Sequence, residues 1–313
     1  MITIYNLCVT RSNQELNYFY RVLHFLEYAQ FKEISVQIVH LDFKSNDYVP
    51  NIKVSKVNLL ATVYTFGQTK TITQSFIHNL DDLIMLYIPS KSGTVVWAYT
   101  GHSDGLRLGK KNIKLMRIQD FCEIVHRVSK KADVMIFDCC LCANINTLYV
   151  CYPFTKYIIA ATSYQSYLSV FETHSIYHLV QDIPEYCKNI VKELKALEQI
   201  DKLAYDTNYA VYEMNRDIPI LVQLTLMYKD QFTSKGSLII YSIKYKDLEC
   251  CFQKLGITLN VDSFTVFNTY TKKKCSAHRL SKQSNHSTPS KLMIILKRPS
   301  KNAMPTMGDI FFN

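Results

Sequence analysis

No run of about 18 consecutive apolar residues occurs in the 313-residue chain, and a helix needs that length to cross a bilayer, so no membrane span is expected. The opening residues, Met1 to Asn13, lack the basic start and long apolar core of a secretion signal. The expectation is a soluble protein of the cytoplasm or another intracellular compartment. Glycine and proline are scarce, at eight residues each, while Tyr numbers 22 and Phe 16. With 48% hydrophobic residues, the composition argues against a disordered or fibrous chain and for one large folded domain. The ten cysteines are irregularly spaced in a chain long enough to bury its own core, so reduced thiols are expected rather than a disulfide scaffold. Cys139, Cys140, Cys142 and Cys151 lack paired zinc spacing, and His174 with His178 lacks the glutamate of a zinc peptidase.

What charge there is sits at one end. The formal net charge is +10, and residues 271–313 hold nine Lys or Arg against one acid, Asp309. The remaining 270 residues therefore carry only +2. Ser281 to Ser290 is rich in Ser and Asn, which predicts a basic, weakly ordered tail over 261–313 appended to a domain over 1–260. Simple solvation accounts for such a tail; a phosphate, a membrane surface or a localisation receptor are alternative partners. No RNA-binding aromatic motif, zinc-finger spacing or helix-turn-helix signature accompanies it, so nucleic acid is not expected as a partner except through the tail. Nothing in the sequence fixes an oligomeric state.

The body alternates strands and helices. Ile2 to Val9 reads as a buried strand, Gln14 to Gln30 as a helix and Ile34 to Leu41 as a second strand, a βαβ unit that implies a parallel sheet. Thr71 to Tyr87 has Ile72, Phe76, Leu80, Leu83 and Ile84 at helical spacing and is predicted as a helix. Thr94 to Tyr99 is a strong strand running into Thr100-Gly101-His102-Ser103-Asp104-Gly105. An amphipathic helix from Ile118 to Val128 leads to the strand Asp133 to Phe137, which ends in Asp138-Cys139-Cys140-Leu141-Cys142. Tyr157 to Ala161 is a further strand, helices are predicted over Thr173 to Leu197 and Lys202 to Glu213, and Leu238 to Ile243 with Lys246 to Leu255 closes the pattern. The fold class is α/β, with a mostly parallel sheet flanked by helices.

The segment from Thr94 to Phe137 is strand, turn, helix, strand, and a right-handed crossover puts both strand ends on one sheet edge. Neighbouring strands lie about 5 Å apart, and ligands bind at the carboxyl edge of open α/β sheets. His102 and Cys140 leave those two ends. A cysteine reacts as thiolate, and an imidazole can take its proton and later protonate a leaving amine, so the pair suits acyl transfer. Cys140 near a helix start would gain from the backbone dipole, and its N–H could hold an oxyanion. The histidine lies about 40 residues upstream, the caspase order rather than the papain order.

These residues resemble the clostripain family of caspase-like cysteine peptidases, relatives of metacaspases and caspases. The pieces ITIYNLCV, VVWAYTGHSDG, DVMIFDCCLCANINTLY, YIIAATSYQ and GSLIIYSIKYKDLECCFQKLG follow the family's order over roughly residues 1 to 260. The resemblance implies a caspase-like three-layer sandwich and a thiol endopeptidase acting on protein or peptide substrates. It implies Cys140 as nucleophile, His102 as its partner, Asp138 as the floor of an S1 pocket for P1 Arg or Lys, and the N–H groups of Cys140 and Ser103 as the oxyanion hole. Several relatives of this fold need calcium; the residues here name no cofactor, and calcium stays open. The chain departs from the family at Ser103, where glycine is usual, at Cys139 in place of alanine and at Cys142 in place of methionine. These departures keep an inactive caspase-like scaffold that binds peptides or proteins as the alternative, and a nucleic-acid or membrane function of the basic tail as a third class.

Overall fold

The sequence ITIYNLCVT of β1 (Ile2–Thr10) is buried at every position, which a strand covered by helices on both faces allows. In the computed structural model it lies inside a nine-stranded sheet. The structure describes residues 1–28, 33–43, 52–53, 58–67, 69–90, 92–109, 115–162, 168–178, 182–200, 207–232, 238–240, 243–269 and 292–297. After β1 come α1 (Asn13–Tyr28), β2 (Ile34–Asp42), β3 (Leu59–Phe66), β4 (Thr71–Ile77), α2 (Leu80–Met85) and β5 (Thr94–Thr100). The short strands β6 (Arg107–Leu108) and β7 (Met116–Arg117) precede α3 (Ile118–Ser129), β8 (Ala132–Asp138), α4 (Ile145–Cys151) and β9 (Thr155–Ala161). The later elements are α5 (Ile183–Ile200), β10 (Tyr209–Glu213), α6 (Asp217–Tyr228), β11 (Leu238–Ile240), β12 (Ile243–Asp247), α7 (Leu248–Gln253), β13 (Thr265–Asn268) and β14 (Met293–Lys297).

The main sheet runs β13-β10-β9-β8-β5-β1-β2-β3-β4. Its centre, β9-β8-β5-β1-β2, is wholly parallel, and antiparallel strands extend it at both sides. Alternation splits the core into two layers. Tyr5, Leu7, Trp97, Tyr99, Met135 and Phe137 face the layer that α2, α3, α4, α6 and α7 cover, whereas Ile4, Cys8, Val96, Ala98 and Ile136 face α1 and α5. That is the expected three-layer sandwich. Trp97 is fully buried, stacks on Tyr5 with ring centroids 4.6 Å apart, and donates from Nε1 to Ser129 Oγ at 3.0 Å. No helix among the described residues is long and apolar enough to cross a membrane.

Four expectations need correction, the first being that the helix expected over Thr173 to Leu197 begins at Ile183, after a 3₁₀ turn at Ser175–Tyr177. Thr71 to Tyr87 is not one helix: Thr71–Ile77 is the edge strand β4, paired with β3, and the helix begins only at Leu80, where the Asn79 side chain accepts from the N–H groups of Asp81 and Asp82. Three β-branched residues in a row, Thr71 to Thr73, favour the strand, and the helical spacing is accidental, because Ile72 and Phe76 stay exposed at 64% and 57%. Tyr209–Glu213 is likewise strand β10 rather than the end of a helix; YAVY alternates between the two core layers, and 201–206 lie outside the described residues. The boundary at 260 falls too early. Thr265–Asn268 pairs with β10 in the main sheet, and Met293–Lys297 pairs with β12 in a three-stranded sheet. The segment 281–290 and the basic residues 298–313 lie outside the described residues.

One buried histidine makes stability sensitive to acid. His40 on β2 is 5% exposed and stacks on Phe19 at 4.0 Å. Thr10 Oγ1 spends its proton on Asp42 Oδ1 at 2.9 Å, so it accepts from His40 Nε2–H at 2.8 Å. Burial, opposed by the Asp42 charge, lowers the His40 pKa to about 4. Because the folded value lies below the unfolded one, the unfolded chain binds the extra proton as pH falls from about 6.5 to about 4, and stability is lost across that window. The loss should reach about 3 kcal/mol. Urea denaturation at pH 7 and pH 4.5 should show it, and His40→Gln should remove most of the pH dependence; an equal dependence in both proteins would place its origin elsewhere.

Candidate active site

Strands β5 and β8 are parallel neighbours whose last residues, Thr100 and Asp138, are register partners. The two loops that follow therefore leave the sheet side by side. Gly101 has φ +152°, and a Cβ there would meet Val9 O and Tyr99 Oη at 3.0 Å, so the turn into His102 requires glycine. Its N–H donates to Asp138 O at 3.3 Å, tying the histidine loop to β8. Tyr99 Oη and Gly109 N–H both donate to His102 O, at 3.0 and 2.7 Å. The loop is thus held from both sides.

Ser103 does not occupy the left-handed region. Positive φ in this loop falls on Gly101, Gly105 and Gly109, so serine sits there without the strain that a glycine position would impose. Ser103 opposes Leu108 as a wide antiparallel pair, with the bonds carried by its neighbours: Gly109 N–H to His102 O, and Asp104 N–H to Arg107 O at 3.2 Å. The Ser103 N–H lies outside that ladder. Its side chain instead accepts from Gly105 N–H at 2.9 Å and lies 3.2 Å from Cys142 Sγ.

Two adjacent thiols just past the end of β8 are told apart by burial. Cys139 is 1% exposed and turns into the core layer of Phe137, with Sγ 3.4 Å from Cys142 Sγ. Burial first, then the Cys142 thiol, pushes its own thiol well above the usual range. Cys140 is half-buried, and both residues line the cleft described below. Leu141 follows it with φ +64°, a left-handed conformation that costs a non-glycine residue about 1 kcal/mol or more and makes the chain reverse directly behind Cys140. Helix α4 starts at Ile145 with Asn144 as its cap, so Cys140 is not in its first turn and a helix dipole is not its source of activation. Asn144 also donates to Gly105 O at 2.8 Å and to Leu141 O at 3.0 Å, lacing the histidine loop to the cysteine loop.

His102, Asp138 and Cys140 line one cleft of about 750 Å³, open mouth included, between the sheet edge, α1 and the segment 168–171. No family model matches the chain, and no curated protein matches it in sequence. Three solved structures superpose over most of it. A secreted C11 cysteine protease from Bacteroides thetaiotaomicron, named iotapain, has a TM-score of 0.60 at 11% identity, over 87% of each chain. The secreted C11 protease from the same organism in complex with an irreversible peptide inhibitor gives 0.59 at 10% identity, over 87% of this chain and 85% of that one. An inactive zymogen C11 protease from Parabacteroides distasonis gives 0.58 at 12%, over 96% of this chain and 92% of its own. The chain has the fold of the C11 cysteine proteases.

Within this C11 fold two contributors to the cleft are ones that sequence reasoning missed. Asp138 is 6% exposed, and its Oδ2 accepts from Ser169 Oγ at 2.6 Å, Thr100 Oγ1 at 3.3 Å and Val170 N–H at 3.3 Å. Ser169 caps the 3₁₀ turn Val170–Glu172, and Glu172 pairs with Arg21 of α1 at 2.9 Å, which fixes this wall of the cleft. Glu15, in the first turn of α1, places Oε1 2.8 Å from His102 Nε2 and accepts the Arg11 N–H on Oε2 at 2.8 Å. Burial would raise the Glu15 carboxyl, but the His102 hydrogen bond and charge, with Arg11 N–H and Ser12, outweigh it and hold the group below its ordinary value. No periodicity in the sequence marks either residue; α1 and the 168–171 segment bring them in from distant parts of the chain. His174 and His178 flank a 3₁₀ turn rather than sharing a helix face, and no metal-holding group of three His, Cys, Asp or Glu occurs among the described residues.

Proposed function

We propose that the protein is a cysteine endopeptidase that cleaves after Arg or Lys through a thioester formed on Cys140. The observation that carries this reading is the placement of Cys140 and His102 on two parallel neighbouring strand ends, in one cleft with a buried carboxylate. The thiol proton of Cys140 passes to His102, and the thiolate attacks the scissile carbonyl carbon. The resulting oxyanion lies where the N–H groups of Cys140 and Ser103 meet it. The C–N bond then breaks, the amine leaves with the proton held by His102, and water, deprotonated by the same imidazole, releases the acid. One structural neighbour holds an irreversible peptide inhibitor, which supports a peptide as the ligand of this cleft.

Charge supports the choice of a basic P1 residue. Asp138 and Glu15 both line the cleft, and among the described residues no Lys or Arg lines it. Tyr18 and Phe19 add aromatic walls, which suit the stem and face of a guanidinium. The purified chain, with and without calcium, should turn over fluorogenic peptides with P1 Arg or Lys about a hundredfold faster than P1 Asp. One of the ten thiols should react with iodoacetamide well ahead of the rest. A folded protein that cleaves none of these peptides, and whose thiols all react at ordinary rates, would instead be a peptide-binding scaffold.

A further inference from the structure

The assignment of Cys140 and His102 as the reacting pair leaves the orientation of the imidazole to be explained. The loop fixes His102 through its backbone carbonyl, whereas the ring is held by a group from another element, Glu15 at 2.8 Å from Nε2. An ionised carboxylate only accepts hydrogen bonds, so Nε2 carries the proton. Nδ1 is then the ring nitrogen available to take the thiol proton. Both side chains are partly shielded, at 31% exposure for His102 and 20% for Glu15, where an ion pair is screened less than on an open surface.

We propose that Glu15 is a positioning residue that fixes the tautomer and orientation of His102 and stabilises the imidazolium formed when Cys140 gives up its proton. This rests on the peptidase reading and deepens it. The bland alternative is a helix cap, because Glu15 Oε2 accepts the Arg11 N–H while Ser12 Oγ accepts the Glu15 N–H at 3.2 Å. The two roles use different carboxylate oxygens. Other titratable groups that line the same cleft are Tyr18 on α1, Cys8 on β1, Asp138 at the end of β8, and Cys139 and Cys140 just beyond it.

Glu15→Gln separates the roles, since glutamine serves equally in a capping box but carries no charge. Peptide hydrolysis in the full-length protein should show kcat lower by about 10- to 100-fold with KM within about threefold. Removing an anion beside the ring disfavours the imidazolium, so the alkaline limb of kcat/KM should move to lower pH; Glu15→Asp, which keeps the charge, should lie between the two. Unchanged kcat and an unmoved pH profile in Glu15→Gln would overturn the proposal. Should the wild type prove as inactive as Cys140→Ala, the peptidase reading fails by itself, and the pairing is then decided by proton NMR. A His102 Nε2–H resonance that is downfield in the wild type and moves upfield in Glu15→Gln supports the pairing, and one that does not move overturns it.

Discussion

Cys140→Ala is expected to lower peptide hydrolysis by about a thousandfold or more, while Cys139→Ala keeps turnover within about threefold. The two thiols are adjacent in sequence and both border the cleft, yet they differ in burial, with Cys139 1% exposed and Cys140 half-buried. Cys139 lies in the core layer with Phe137, in contact with the Cys142 thiol, and its burial holds it protonated. A thiol in that state is neither nucleophile nor metal ligand. Cys140 is half-buried, lines the cleft beside His102, and precedes the left-handed Leu141, which turns the chain away behind it. Cys139→Ala removes one buried sulfur and should cost about 1 kcal/mol of stability, visible as a modest fall in the urea midpoint. The measurement is the initial rate on a P1 Arg peptide, with circular dichroism to show that each variant folds. Full activity in Cys140→Ala, or its loss in Cys139→Ala alone, would move the nucleophile.

How far the sequence revealed this arrangement follows from what each segment's pattern records. Buried parallel strands such as Ile2–Thr10 and Ala132–Asp138 are apolar nearly throughout because both faces are covered, so they stand out in any reading. The right-handed crossover from β5 to β8 then puts His102 and Cys140 on one edge from the order of elements alone. Edge strands carry a weaker record. Thr71–Ile77 keeps Ile72 and Phe76 exposed, and their accidental four-residue spacing imitates a helix. The 265–268 strand belongs to the sheet through pairing with β10, a long-range contact that the local composition of a basic segment does not show. Glu15 and Ser169 are invisible for a further reason: what makes them part of the site is tertiary packing of α1 and of the 168–171 segment over the strand ends. Serine sits at position 103 without backbone strain because the positive φ values of this loop fall on Gly101, Gly105 and Gly109.

Asp138→Asn should reduce kcat/KM for P1 Arg and Lys peptides by about 100-fold or more, with peptides carrying a neutral P1 residue changed by no more than about threefold. Asparagine is the informative replacement. The Oδ2 atom accepts from Ser169, Thr100 and Val170 N–H inside the wall, and an amide oxygen can still accept some of these bonds. Alanine would strand the Ser169 hydroxyl and the Val170 N–H without their acceptor, at a cost of about 1–3 kcal/mol each, and would confuse specificity with collapse of the wall. In the proposed reading the charge selects: a carboxylate that is 6% exposed and lines the cleft would meet a cation with little solvent screening, while its neutral isostere offers a hydrogen bond only. Iodoacetamide labelling of Cys140 should be no slower in this variant, since a carboxylate in the same cleft disfavours a thiolate and its loss cannot hinder one. If the preference for Arg survives in Asp138→Asn, the cation must be held elsewhere in the cleft. Glu15 is the other carboxylate that lines it. A preference that then vanished in Glu15→Gln would make Glu15 the specificity carboxylate and leave Asp138 as a bracket for Ser169 and the turn behind it.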